Sequence, residues 1–197
     1  MADITANTAA SDEAKKTDSK RLSDLVAVTV VILTVFMAVS KIKDDNIVQA
    51  MQKAKSDSVD AWAEYQAARI KLHVDENGLA ALRLLETTGV DKALAAKQAA
   101  EYESDIKKYQ ARSAETMAKA KALEAEYDRL NFRDDQFDMS DAFLSIGIAV
   151  SAVAALVDSF WLLAVAWGSG AIGLTFGIAG FVGLNLRPEW LAVLLGT

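Results

Sequence analysis

Cysteine is absent from the 197 residues, which excludes disulfides, thiolate metal sites, iron–sulfur clusters and a cysteine nucleophile. Proline occurs once, at Pro188, and the stretch 43–138 has no proline and only two glycines, Gly78 and Gly89. The single histidine, His73, has no second His or Cys to complete a metal site, and the acidic residues around it read as a solvated helix face. A basic excess is also missing. The net charge of −6 lacks the cationic footprint of a general nucleic-acid binder. No phosphate-binding loop, GxGxxG, HExxH or GxSxG occurs, and carboxylate pairs such as Glu101/Asp105 and Glu124/Asp128 have cations beside them, as surface helices do. Nothing points to an enzyme or to a cofactor.

Charge is scarce in two segments and dense between them. Residues 43–138 hold 15 basic and 19 acidic residues, whereas 139–197 hold Arg187 against Asp141, Asp158 and Glu189. A mean hydropathy of +0.16 alongside 24% charged residues requires that kind of segregation. Residues 22–42 carry only Asp24 and Lys41 around the run LVAVTVVILTVFMAV, and about 20 apolar residues suffice to cross a bilayer. No small-residue cleavage site follows the run, which argues against a signal peptide. Residues 142–186 contain one charge, Asp158, and are the right length for two crossings turning at Asp158-Ser159. Trp161 beyond the turn and Arg187-Pro188-Glu189-Trp190 beyond the last span supply interfacial anchors, and Asp158 reads as a headgroup-level turn residue.

The last span carries Gly170, Gly173, Gly177 and Gly180 on one helix face, and Gly147, Ser151 and Ala155 step by four along the span before it. In lipid such small residues mark surfaces where backbones touch, either between these two spans or between subunits. The middle is rich in Ala, Glu, Lys, Gln and Leu and shows no strand alternation. A long helix over 44–77 is expected to end at Asn77-Gly78, a short helix to follow over 79–87, and a second long helix to start after Thr88-Gly89 with Asp91 as its cap. In that second helix Ala99, Tyr102, Ile106, Tyr109, Ser113, Thr116, Ala120, Leu123, Tyr127 and Leu130 recur at alternating steps of three and four. This is a coiled-coil period, and continuing it lands on Asp134 and Phe137. The first long helix offers Val48, Met51, Trp62, Tyr65, Arg69 and Leu72, with Lys55 and Ser58 as a polar gap. Both ends of the middle meet spans at one membrane face, so the two helices run antiparallel.

The fold class expected is therefore an all-α integral membrane protein with three transmembrane helices and a long antiparallel, coiled-coil-like hairpin outside the membrane. Its segments are a polar, disordered N-terminal tail (1–21), a first span (22–42), the hairpin (43–138), two further spans (139–157 and 160–186) and a short C-terminal tail (187–197).

Residues 56–71 read SDSVDAWAEYQAARIK, preceded by a span and followed by FDMSDAFLSIGIAVSAVAAL at 137–156. In this order and spacing the chain resembles the bacterial membrane family called domain of unknown function 4337, most specifically at Trp62, Tyr65, Gln66, Ala67 and Lys71. The resemblance implies the same three-span architecture and leaves activity open. Members often carry basic residues in the hairpin tip, where this chain has Asp158.

So polar a seam buries little, and marginal helices need tertiary partners. The expected role is a non-enzymatic scaffold in a bacterial inner membrane, self-assembling as a homo-oligomer through the coiled region and the glycine-rich span, with the lipid bilayer as its other partner. The alternatives are an accessory subunit of a larger membrane complex and an oligomeric channel or mechanosensitive pore. Lys15, Lys16, Lys20 and Arg21 before the first span place the N-terminus and the tip at Asp158 in the cytoplasm and the hairpin in the periplasm.

Overall fold

In a computed structural model, residues 2–85, 91–184 and 186 are described, with side chains from residue 16 onward. Three helices account for nearly all of them: α1 (Ala2–Leu85), α2 (Lys92–Leu156) and α3 (Phe160–Val182). No strand occurs among the described residues. All three helices contain stretches long and apolar enough to cross a membrane.

α1 runs unbroken for 84 residues. The first glycine of the chain is Gly78 and no proline precedes Pro188, so nothing along α1 removes a backbone donor or frees φ before that point. Two expectations are corrected by this continuity. The polar segment 1–21, read as a disordered tail, is helical from Ala2, and the break expected at Asn77-Gly78 is absent. Gly78 serves a different purpose. A Cβ there would meet the Tyr102 ring at 2.8–3.0 Å, so glycine makes the seat on which Tyr102 lies. The Thr88-Gly89 break and the tail from 187 on fall outside the described residues.

Asp91 caps α2 as expected, its Oδ1 accepting the Ala93 N–H at 2.9 Å. α2 closes at the expected tip. Ser159 N–H donates to the Ala154 carbonyl at 3.0 Å around Asp158, which sits at φ 56° in the left-handed region. α3 ends earlier than residue 186, at Val182, because Gly183 adopts φ 77° and its N–H and that of Leu184 both turn back to the Ala179 carbonyl.

The chain divides into two compact units, Met1–Val48 with Leu130–Thr197, and Gln49–Arg129. In the second unit the α1 and α2 segments pack antiparallel, as Trp62 to Glu124, Lys71 to Tyr109 and Arg83 to Glu103 show. The α2 seam is the one its periodicity predicts: Ser113, Thr116 and Ala120 are buried, and Tyr102, Ile106, Tyr109, Leu123 and Tyr127 are half-buried, with Leu130 buried where the first unit begins. The α1 seam is corrected by one residue at alternate positions. Met51, Ala54, Ser58, Ala61, Ala68, Leu72 and Leu79 are buried, while Lys55 and Arg69 are exposed and Trp62 and Val48 only half-buried. Both phases step by three and four. The alanine phase wins because a partner whose seam carries bulky tyrosines packs closest against small side chains.

In the first unit the outer surface is apolar, and small and polar residues are buried beside the apolar ones. Val28, Val31, Val35, Ile146, Val153, Trp161 and Ile172 are exposed, whereas Ser40, Ser140, Gly147, Ser151, Gly170 and Gly173 are buried. Leu22, Val26, Ala154 and Leu163 make one apolar cluster, and Met139 and Phe176 another with Phe143 against them.

Candidate functional site

The glycine face of α3 is packed within the chain. A Cβ at Gly170 would meet Leu33 at 3.1 Å, and one at Gly173 would lie 2.9 Å from the Leu144 nitrogen and 3.0 Å from the Ser140 carbonyl oxygen. At Gly177 it would touch the Phe36 ring at 2.5 Å, and at Gly180 the Phe137 ring at 3.0 Å. A Cβ at Gly147 would lie 3.1 Å from the Ala166 carbonyl oxygen and 3.2 Å from the Gly170 nitrogen. Ser151 is buried and donates back to the Gly147 carbonyl at 2.8 Å. Ala155 is exposed, and Ala154 takes the buried position instead. Two successive steps of four drift by about 80° off a 3.6-residue helix, whereas four then three stays within about 20° of the face.

Two side chains of α2 reach carbonyls at and just beyond the C-terminal end of α3. The Arg133 guanidinium donates to the Gly180 carbonyl at 2.9 and 3.2 Å, and the Gln136 amide donates to the Leu186 carbonyl at 2.9 Å. The Gly180 carbonyl is one that a helix end leaves open, and the Arg133 cation also lies at the negative pole of the helix.

In the second unit the motif residues form rungs between α1 and α2. Trp62 Nε1 donates to Glu124 Oε1 at 2.8 Å and stands edge-on to Tyr65, with ring centroids 5.5 Å apart. Lys71 Nζ lies 5.5 Å from the Tyr109 centroid, as Lys55 Nζ does from Tyr127. Gln66 and Ala67 are exposed on α1 and join no rung. Glu64, Ala67, Ala68, Lys71, Tyr109 and Arg112 line an open cleft of about 610 Å³, where Arg112 pairs with Glu64 at 3.0 Å. These ion pairs are exposed and contribute at most about 1 kcal/mol each. The cleft holds no nucleophile beside a base. His73 is held on the α1 surface between Arg69 at 3.2 Å and Glu76 at 3.0 Å. Among the described residues no group of three His, Asp or Glu side chains is placed to hold a metal ion.

An acidic cluster in the first unit is the feature that sequence reasoning missed. Asp44 lies on the buried face of α1, 4% exposed, and faces Asp134 and Asp138 of α2. Lys41 reaches Asp44 Oδ2 at 2.7 Å and Asp45 at 3.7 Å. Asp44 Oδ1, also buried, has no conventional donor. Burial pushes the Asp134 carboxyl up to about 7, helped by its hydrogen bond to Asp44 and by the charges of Asp44, Asp138 and Asp135. Burial first, and then the Asp44 charge, also raises Asp138. The signal was present in the sequence: the α2 repeat, extended, lands on Asp134, where a seam position would ordinarily be apolar.

The family model described as "Domain of unknown function (DUF4337)" matches residues 22–183. That span takes in the Trp62–Lys71 motif, the acidic cluster and the glycine face. No curated protein and no solved structure matches the chain.

Proposed function

We propose, for a chain that belongs to the DUF4337 family, a role as a non-enzymatic scaffold of a bacterial inner membrane that crosses the bilayer three times. The observation that carries this reading is the apolar outer surface of the first unit. A water-soluble bundle would hide Val28, Val31, Val35, Ile146 and Val153, and here they are exposed while Ser40, Ser140 and Ser151 are buried. In lipid that arrangement is the stable one, because apolar side chains meet the acyl chains and small residues let helices close on one another. The hairpin stands outside the membrane on the periplasmic side, with the N-terminus and the tip at Asp158 cytoplasmic.

Self-assembly runs through the coiled region. The glycine face and the seam are filled within the chain, and the row Val59, Ile70 and Val74, all exposed on α1, offers a surface for a second copy. The steps of eleven and four keep the three residues on one face. A partner of different sequence on this row is the accessory-subunit reading. The channel reading draws nothing from the glycine face, which leaves no lumen.

Native mass in mild detergent tests this. The scaffold reading expects a multiple of the 21.2 kDa chain that falls to one chain when Ile70 and Val74 are both changed to Lys. An unchanged mass refutes the interface, and a fixed second protein in the particle favours the accessory subunit. Full solubility without detergent would refute the membrane reading. For orientation, a Cys at the exposed position Lys119 should react with a membrane-impermeant maleimide in outer-membrane-permeabilised cells, and a Cys at Ser11 should not. The reverse pattern inverts the topology.

A further inference from the structure

Asp44 is a buried carboxylate with one oxygen left open. Its Oδ2 is engaged by Lys41 at 2.7 Å, and its Oδ1 is buried with no N–H or hydroxyl donating to it. An acceptor left open in that way costs free energy unless something donates to it. The group within hydrogen-bonding reach is the Asp134 carboxyl, which can donate only when it carries a proton.

We propose that Asp44 and Asp134 form a proton-binding site in which protonated Asp134 donates to the Asp44 carboxylate and clasps α1 to α2. Loss of the proton leaves two facing carboxylates and loosens the clasp.

The surroundings favour this division of charge. From α1, Lys41 reaches Asp44 at 2.7 Å, with Asp45 sharing that ammonium at 3.7 Å. From α2, Asp135 and Asp138 face Asp134 with like charge, which favours its neutral form, and Asp141 faces Asp44. Arg133 on α2 is turned to the Gly180 carbonyl. α3, Phe160–Val182, carries no titratable side chain. The clasp therefore has one cation for several carboxylates, and a proton makes up the difference. Its position just past the apolar run of α1 makes it a pH sensor for the contact between α1 and α2, whatever the second unit assembles with.

Infrared difference spectroscopy on the full chain in phospholipid nanodiscs tests the site, titrating from about pH 5 to about pH 9. The expected result is a protonated-carboxyl carbonyl band that titrates near neutrality, shifts with isotopically labelled aspartate, and disappears in both Asp134→Asn and Asp44→Asn. In Asp138→Asn the band persists with a lower midpoint, because one like charge has gone. A wild-type spectrum with no such aspartate band refutes the site even if no variant folds. A band that survives both Asp44→Asn and Asp134→Asn refutes it as well. Amide hydrogen exchange around residues 40–46 and 132–140, corrected for intrinsic rates, reads the clasp itself. It should rise several-fold above neutrality in the wild type and stay flat in Asp134→Asn. Equal exchange profiles for the two refute the clasp.

Discussion

Placing an alanine at each glycine of α3 separates close packing from mere glycine content. At Gly173 the added Cβ would lie 2.9 Å from the Leu144 nitrogen and 3.0 Å from the Ser140 oxygen, both backbone atoms of α2. Backbone cannot rotate away, so α3 must move off α2. At Gly177 the nearest atoms are on the Phe36 ring, at 2.5 and 2.8 Å, and the Ser140 hydroxyl at 2.8 Å, all side-chain atoms able to shift in part. At Gly168 nothing lies within 4 Å. Overpacking a filled interior costs about 1–3 kcal/mol. Replacing a helical glycine by alanine returns up to about 1 kcal/mol of backbone entropy. Gly173→Ala should therefore lose about 1–2 kcal/mol net, Gly177→Ala should lose less, and Gly168→Ala should be neutral or slightly stabilising. Reversible unfolding in mixed micelles, followed by helical circular dichroism, resolves differences of that size. Wild-type stability for Gly173→Ala, or a loss at Gly168→Ala equal to that at Gly173→Ala, would refute the packing assigned to this face.

Three further outcomes follow from named contacts. Arg133→Ala removes the cation from the end of α3 and should cost about 1.5–3 kcal/mol in the same unfolding assay, with Arg133→Lys recovering only part because an ammonium cannot reproduce the two-pronged geometry; full rescue by Lys would argue against that geometry. Asp158→Gly should raise stability by up to about 1 kcal/mol, since glycine adopts φ 56° without Cβ strain, and a loss would show that the aspartate side chain contributes at the tip. Asp134 binds its proton at about 7 in the folded chain against an ordinary 3.8, so between those values the folded state holds more protons than the unfolded one. Stability should fall as pH rises across that window and level off above it, and the slope should flatten in Asp134→Asn; the same slope in both proteins would contradict the assignment.

The sequence by itself determined what depends on local composition. Rich in helix formers and without proline or early glycine, the chain read as helical, the three apolar stretches marked the segments able to span a bilayer, and Asp158-Ser159 was legible as the turn. The α2 seam was legible too, because its tyrosines and small residues recur over many turns with no competing phase. The α1 seam was not. Val48, Trp62 and Arg69 share the same period as Ala54, Ala61 and Ala68, and only the bulk of the facing tyrosines selects the alanines. The same limit explains Gly78, which reads as a helix stop until Tyr102 is seen lying on it, and Ala155, whose neighbour Ala154 is turned inward. The acidic cluster is the clearest case. Asp44 and Asp134 are 90 residues apart, and each alone reads as a solvated carboxylate. Tertiary packing removes their water and sets them face to face, and that desolvation, which no local pattern encodes, is what turns two ordinary aspartates into a place for a proton.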